Sequence, residues 1–207
     1  MQIIEQLGLA LGLASMAGIN LYLTVLLAGV MIRFDLIQLA GQYETLDALG
    51  DPIVMGIAGG LFLIEFFADK IPWVDSAWDS VHTFIRPVGA TLLAMQALGD
   101  MSPAMQVVAG LLAGGAALTT HTAKAGSRLL INHSPEPVSN IAMSLGEDIA
   151  VVGGSLLALI FPVIAFFAVL ILMIVLWMLI PRLWRVIQKS LQFLRSRLSP
   201  AHAAQPR

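Results

Sequence analysis

The chain has 207 residues, of which 58% are hydrophobic and only 12% charged, with a formal net charge of −2. A soluble domain carries about 25% charged residues, so half of the usual charge is missing and an ordinary soluble globule is excluded. The absence of cysteine removes disulfides, thiolate metal ligands and cysteine nucleophiles together.

The first six residues, MQIIEQ, hold no basic residue, and an apolar run of 26 residues follows at 7–32. A cleaved secretory signal wants a positive start and a shorter core, so this run reads as a retained spanning helix. About 20 mostly apolar residues suffice to span a bilayer. Residues 53–70 form a second candidate, opened by Asp51-Pro52, where proline suits a first helical position. Residues 87–98 are short, and reach membrane thickness only by joining the preceding stretch or as a re-entrant segment. Residues 104–123 follow Ser102-Pro103 as a fourth. From Ile149 to Ile180 no charge occurs, yet one helix of that length would measure about 48 Å, too long for a core of about 30 Å. Pro162 divides it into spans at 139–161 and 163–180. The expected fold is all-α: a polytopic bundle of about six short helices over residues 1–181, a basic amphipathic helix at 182–198 and a disordered tail at 199–207.

Lysine and arginine set the orientation. Arg182, Arg185, Lys189, Arg195, Arg197 and Arg207 crowd the C-terminal tail without an acid, which places it in the cytoplasm of a bacterial inner membrane. Counting back six crossings puts the N-terminus there too. Ten of the eleven basic residues then fall on one side, with Arg33 on the other. A weak internal repeat accompanies this layout: Asp51-Pro52 and Ser102-Pro103 each open an apolar helix, a polar elbow and a second short helix. Three GxxxG spacings, Gly8/Gly12, Gly56/Gly60 and Gly110/Gly114, suit close helix packing.

The first elbow has a helical period. Ile71, Val74, Trp78, Val81 and Ile85 form an apolar stripe, and Asp75, Asp79, His82 and Arg86 a polar one. Glu65 and Asp69 share a face just upstream. These six polar residues either solvate a surface helix or line a water-filled vestibule. Asp75, Asp79 and His82 could offer three ligands on one face, too little to define a metal site, so neither a metal nor another cofactor is expected. The second elbow carries His121, Lys124 and Arg128, then His133, Glu136, Asn140 and the adjacent pair Glu147-Asp148. The last two lie near mid-bilayer, where a charge costs about 2.5–3.5 kcal/mol. Both do not stay charged and unpaired: either one is protonated or they meet Lys70, Arg86, Lys124 or Arg128, and Arg86, from the other hairpin, is the expected partner. Asn20 and Thr24 suit hydrogen bonding between helices. Leu183, Ile187, Leu191, Leu194 and Leu198, beside Arg185, Lys189 and Arg195, suit anionic inner-leaflet lipids rather than nucleic acid.

The segments AGINLYLTVLLAGV (17–30), EFFADKIPWVDSAWDSVHTFIRPVGATLLA (65–94) and SLGEDIAV (144–151) resemble the bacterial membrane family catalogued as domain of unknown function 4126. The resemblance covers roughly residues 7–185. It implies a multi-helix inner-membrane protein and carries no catalytic roles. Three functions compete. The first is a small transporter or channel-like permease, with ion or substrate binding at Glu65, Asp69, Asp75, Asp79, His82, Arg86, His121, Lys124, Glu147 and Asp148. The second is an enzyme on lipid headgroups, with His82 or His121 as acid/base and Arg86, Lys124 and Arg128 on phosphate; no nucleophile or metal signature supports it. The third is a scaffold subunit. A homo-oligomer is compatible with each.

Overall fold

The computed structural model describes residues 2–37, 41–98, 101–131 and 137–198. They form seven α-helices and one 3-10 helix, with no strand among the described residues. The order is α1 (Gln2–Ala17), α2 (Leu21–Arg33), the 3-10 helix (Gly41–Gly50), α3 (Pro52–Ala68), α4 (Pro72–Ala97), α5 (Pro103–Ile131), α6 (Pro137–Ile160) and α7 (Pro162–Leu198). Pro103–Ile131, Val138–Ile160 and Pro162–Lys189 are long and apolar enough to cross a membrane. Each of the helices α3 to α7 opens on a proline, whose fixed φ and missing N–H cost nothing in a first turn.

The apolar run 7–32 is not one helix. It breaks at Gly18-Ile19-Asn20, leaving α1 with 16 residues and α2 with 13, about 24 Å and 20 Å. Gln6, near the start of α1, donates from Nε2 to the Leu98 carbonyl at 3.1 Å, at the end of α4. Thr45, in the 3-10 helix that follows α2, donates to the Gln96 carbonyl at 2.5 Å, at the same end. The two arms therefore start and finish together, and the turn between them lies deep in the bundle, where the Gly18 carbonyl faces Arg86 at 3.5 Å. This corrects the single spanning helix expected at 7–32. The run makes a hairpin that turns back, so Glu5 and the acidic segment around Asp35, Asp47 and Asp51 share one end of the molecule.

Two prolines lie within helices. Pro87 and Pro181 lie inside α4 and α7 and do not break them. Residues 87–98 are accordingly the second half of a 26-residue helix that begins at Pro72 and includes the first elbow. The second elbow is likewise part of α5, which runs on to Ile131. Residues 182–198 continue α7 directly, and Leu183 and Ile187 from the expected lipid stripe pack over Gly126 of α5. His133, Glu136 and the tail 199–207 lie outside the described residues.

α1 is the axis of the bundle, packed against α4, α5, α6 and α7, while α2 packs mainly on α3, the 3-10 helix and α6. The halves of the two expected hairpins, α3 with α4 and α5 with α6, share little packing; α1 stands between α5 and α6, α3 packs mainly on α2, and no twofold pair of closed hairpins results. The exterior is apolar. Trp73 is 87% exposed, and Val74, Val81, Phe84, Ile85, Val88 and Leu92 of the same helix also face outward, whereas Asp75, Asp79, His82 and Arg86 face inward. Such an inside-out amphipathic helix is compatible with an apolar surrounding medium.

Candidate functional site: a buried charge network at the hairpin turn

Local chain chemistry explains the turn. Carbonyls at the end of α1 and in the turn after it have no intrahelical donors, and two side chains of α5 supply them. Lys124 Nζ donates to the Ile19 carbonyl (3.2 Å) and Thr120 Oγ1 to the Ser15 carbonyl (2.9 Å). Cations also complement the negative end of the helix dipole there. Asn20 then starts α2. Its backbone is extended and its Oδ1 accepts from the Leu23 N–H at 3.0 Å, a side-chain N-cap. With Oδ1 so committed, Nδ2 is left to donate to Asp148 Oδ1 at 3.2 Å. Thr24 bonds back to the Asn20 carbonyl at 2.8 Å within its own helix; of the two polar residues expected to bridge helices, Asn20 alone does so.

Around this turn α3, α4, α5 and α6 bring ten side chains into one layer. Arg86, fully buried, donates to Glu65 Oε1 at 2.7 Å and lies 3.3 Å from Asp79 Oδ1. Lys124 lies 3.4 Å from Glu65, 3.3 Å from Asp69 and 3.5 Å from Glu147. Arg128 donates to Glu147 Oε2 at 2.6 Å and to Asp69 Oδ2 at 3.1 Å, and lies 4.0 Å from Asp75. Asn140 accepts from Arg128 Nη1 at 2.8 Å and donates to the Asp69 carbonyl at 3.2 Å, fixing the end of α3. Asp148 has its bond to Asn20 and no cation within ion-pair distance among the described residues.

Thus six carboxyl groups share the layer with three cations. Lys70 stands at its margin, donating to the Phe66 carbonyl at 2.7 Å with its Nζ over the Phe66 ring. Glu65 Oε2, Asp69 Oδ1 and Asp79 Oδ2 are buried and accept no hydrogen bond from any group among the described residues. Uncompensated charge is costly in low-dielectric surroundings, and the acids of the layer outnumber the cations that face them. Among the described residues no three of His, Asp and Glu are grouped so as to hold a metal ion.

The two histidines differ in what they can do. An arginine only donates, so His121 Nδ1, 2.7 Å from Arg86 Nη1, accepts, and the ring proton sits on Nε2, 3.0 Å from Thr83 Oγ1 and 3.2 Å from the Asp79 carbonyl. Protonating Nδ1 would break the Arg86 bond. His82 Nδ1–H donates to the Trp78 carbonyl (2.8 Å), and its Nε2 meets Tyr22 Oη at 2.9 Å, a hydroxyl that can donate or accept. The ring stacks on Trp78, with centroids 4.5 Å apart. Cavities reach the network from more than one side. One of about 140 Å³ is lined by Ser76, Asp79, Ser80, Thr83 and Arg128. Another, of about 210 Å³, is lined by Ile19, Lys124, Ser127, Glu147, Leu172 and Leu176.

All ten residues singled out for the site therefore come together, and the polar face of the first elbow points inward as the vestibule reading requires. The expected pairing is corrected. Glu147 pairs with Arg128 and Lys124 of α5, and Arg86 with Glu65 and Asp79. α1 stands between α4 and α6, which keeps Arg86 off α6. Arg128, Asn140, Tyr22, Thr83 and Thr120 belong to the network as well. The i, i+4 spacing of Lys124 and Arg128 signals the first of these; nothing in the spacing marks Tyr22.

Polar and charged inside, apolar outside, and all-helical with three helices long enough to cross a bilayer, the molecule is compatible with the class of polytopic α-helical membrane proteins. The chain matches the model of the family described as Domain of unknown function (DUF4126) over residues 7–182, and it belongs to that family. No curated protein and no solved structure matches it.

Proposed function

We propose that this protein is a small transporter or channel-like permease of the bacterial inner membrane, coupled to protons or monovalent cations at the hairpin turn. The observation that carries this reading is the excess of six carboxyl groups over three cations around a broken, turned-back helix pair. Ionisable residues at membrane depth mark ion and substrate pathways, and interrupted helices whose ends meet charged groups build such sites in transporters. The cationic end of α7, with Arg182, Arg185 and Lys189, lies on the cytoplasmic face by the positive-inside rule, next to anionic lipid. The turned-back hairpin then puts the N-terminus and the acidic 3-10 segment on the opposite face, five crossings away from the C-terminus.

Water access separates this reading from a lipid enzyme and from a scaffold. The natural chain has no cysteine, so an Ile19→Cys variant carries a single thiol, in the wall of the 210 Å³ cavity. A membrane-impermeant maleimide should label it from either side of oriented proteoliposomes, with conditions that favour one side protecting the other. Labelling from one side under every pH and cation condition speaks for an enzyme, and none from either side for a scaffold.

A further inference from the structure

Resting on that reading, we infer that Asp148 is the group that takes up and releases the coupling proton, and that Asn20 ties its state to the hairpin turn. Five of the six acids in the layer have a cation within 4.0 Å: Glu65, Asp69, Asp75, Asp79 and Glu147. Neutralising a carboxylate in such a pair gives up its attraction to the neighbouring cation. Asp148 lacks that restraint. The charged groups that face it are Asp69 and Glu65 from α3 and Lys124 from α5, with Lys70 beyond the end of α3. Two of these are acids, which oppose a further negative charge. What favours the carboxylate is the Asn20 amide at 3.2 Å and the N-terminal end of α2. Both are weaker than an ion pair, so this is the acid of the layer whose protonation costs least in broken contacts.

The consequence reaches the turn through one side chain. Asn20 is buried and uses its two ends for two purposes: Oδ1 holds the first turn of α2, and Nδ2 holds Asp148 of α6. A proton on Asp148 weakens the Nδ2–H bond to the acid and leaves the cap intact. α6 is then freed from the hairpin at this point, while Lys124 continues to hold the α1 carbonyl of Ile19 from α5. No bond is made or broken besides the O–H of the acid, and the proton comes from water. A sodium ion would need more oxygen ligands than one carboxylate and an amide already committed to α2, so the proton is the better-fitting occupant.

Infrared difference spectroscopy of the full-length protein in lipid nanodiscs, over a pH titration, tests this. A protonated-carboxyl C=O band should appear as pH falls. It should shift when aspartate, but not glutamate, carries carbon-13 at the side-chain carboxyl. It should vanish in Asp148→Asn, move in frequency in Asp148→Glu, and survive unchanged in the control Asp35→Asn. A band that persists in Asp148→Asn, or shifts with glutamate labelling, overturns the assignment to Asp148 while leaving transport standing. Absence of any such band, or an identical titration with sodium replacing protons, overturns it as well. Failure of the transport reading itself registers in the labelling of Ile19→Cys and not in this band. Should Asp148→Asn fail to fold, Asp148→Glu and the isotope shifts decide the matter alone.

Discussion

At the scale of single residues, the account turns on which side chains compensate one another. Arg86 is wholly buried between Glu65 and Asp79, so removing it strands Asp79 and leaves Glu65 with Lys124 alone. Arg86→Ala should destabilise the fold by about 3–5 kcal/mol, whereas Arg182→Ala, on the exposed surface, should do little. Glu65→Gln should partly rescue Arg86→Ala, and Glu147→Gln should not, because Glu147 belongs to Arg128. Thermal unfolding in detergent, compared across the single and double variants, checks the ranking. The charged residues were legible because charge is rare in this chain and each acid or base within an apolar stretch demands a partner. The identity of the partners was not legible, since it depends on which helices α1 separates.

At the scale of elements, the glycines distinguish packed helix faces from open ones. A Cβ on Gly8 would run into the Pro162 carbonyl, and one on Gly12 into Ala158, whereas Gly56 and Gly60 meet no neighbouring atom. Gly8→Leu and Gly12→Leu should therefore cost about 1–3 kcal/mol or more through overpacking, while Gly56→Leu and Gly60→Leu should leave the melting temperature close to the natural protein's. The two spacings look alike in sequence, and GxxxG alone does not say whether a partner is present. Proline carries a similar lesson. Pro52, Pro103 and Pro162 mark helix starts as their context predicts, but Pro87 and Pro181 lie inside helices that run on past the lost hydrogen bond. The turn at 18–20 was hidden for a different reason. Gly18 and Asn20 are its only polar or flexible signals in an otherwise apolar run, and an N-cap asparagine there is indistinguishable from one that bonds a neighbouring helix.

At the scale of the whole molecule, the sidedness follows from the hairpin. Ile3, Leu36 and Val138 are exposed, and the cysteine-free background makes each a unique label once substituted. Ile3→Cys and Leu36→Cys should react from the same side of the membrane and Val138→Cys from the other; reaction of Ile3→Cys from the side of Val138→Cys would restore a single crossing helix at 7–32. The segregation of charge between the two ends was plain in the sequence, because it survives any count of helices, but the parity of crossings depended on one turn. The central claim is that the unbalanced layer of acids at that turn passes protons. Its most direct test is proton flux into proteoliposomes loaded with a pH-sensitive dye and driven by a potassium diffusion potential, with the natural protein compared with Asp148→Asn and Glu65→Gln. The account predicts acidification of the lumen with the natural protein, lost in Asp148→Asn and reduced in Glu65→Gln. Flux no greater than in protein-free liposomes, under every pH, cation and substrate gradient applied, would contradict it.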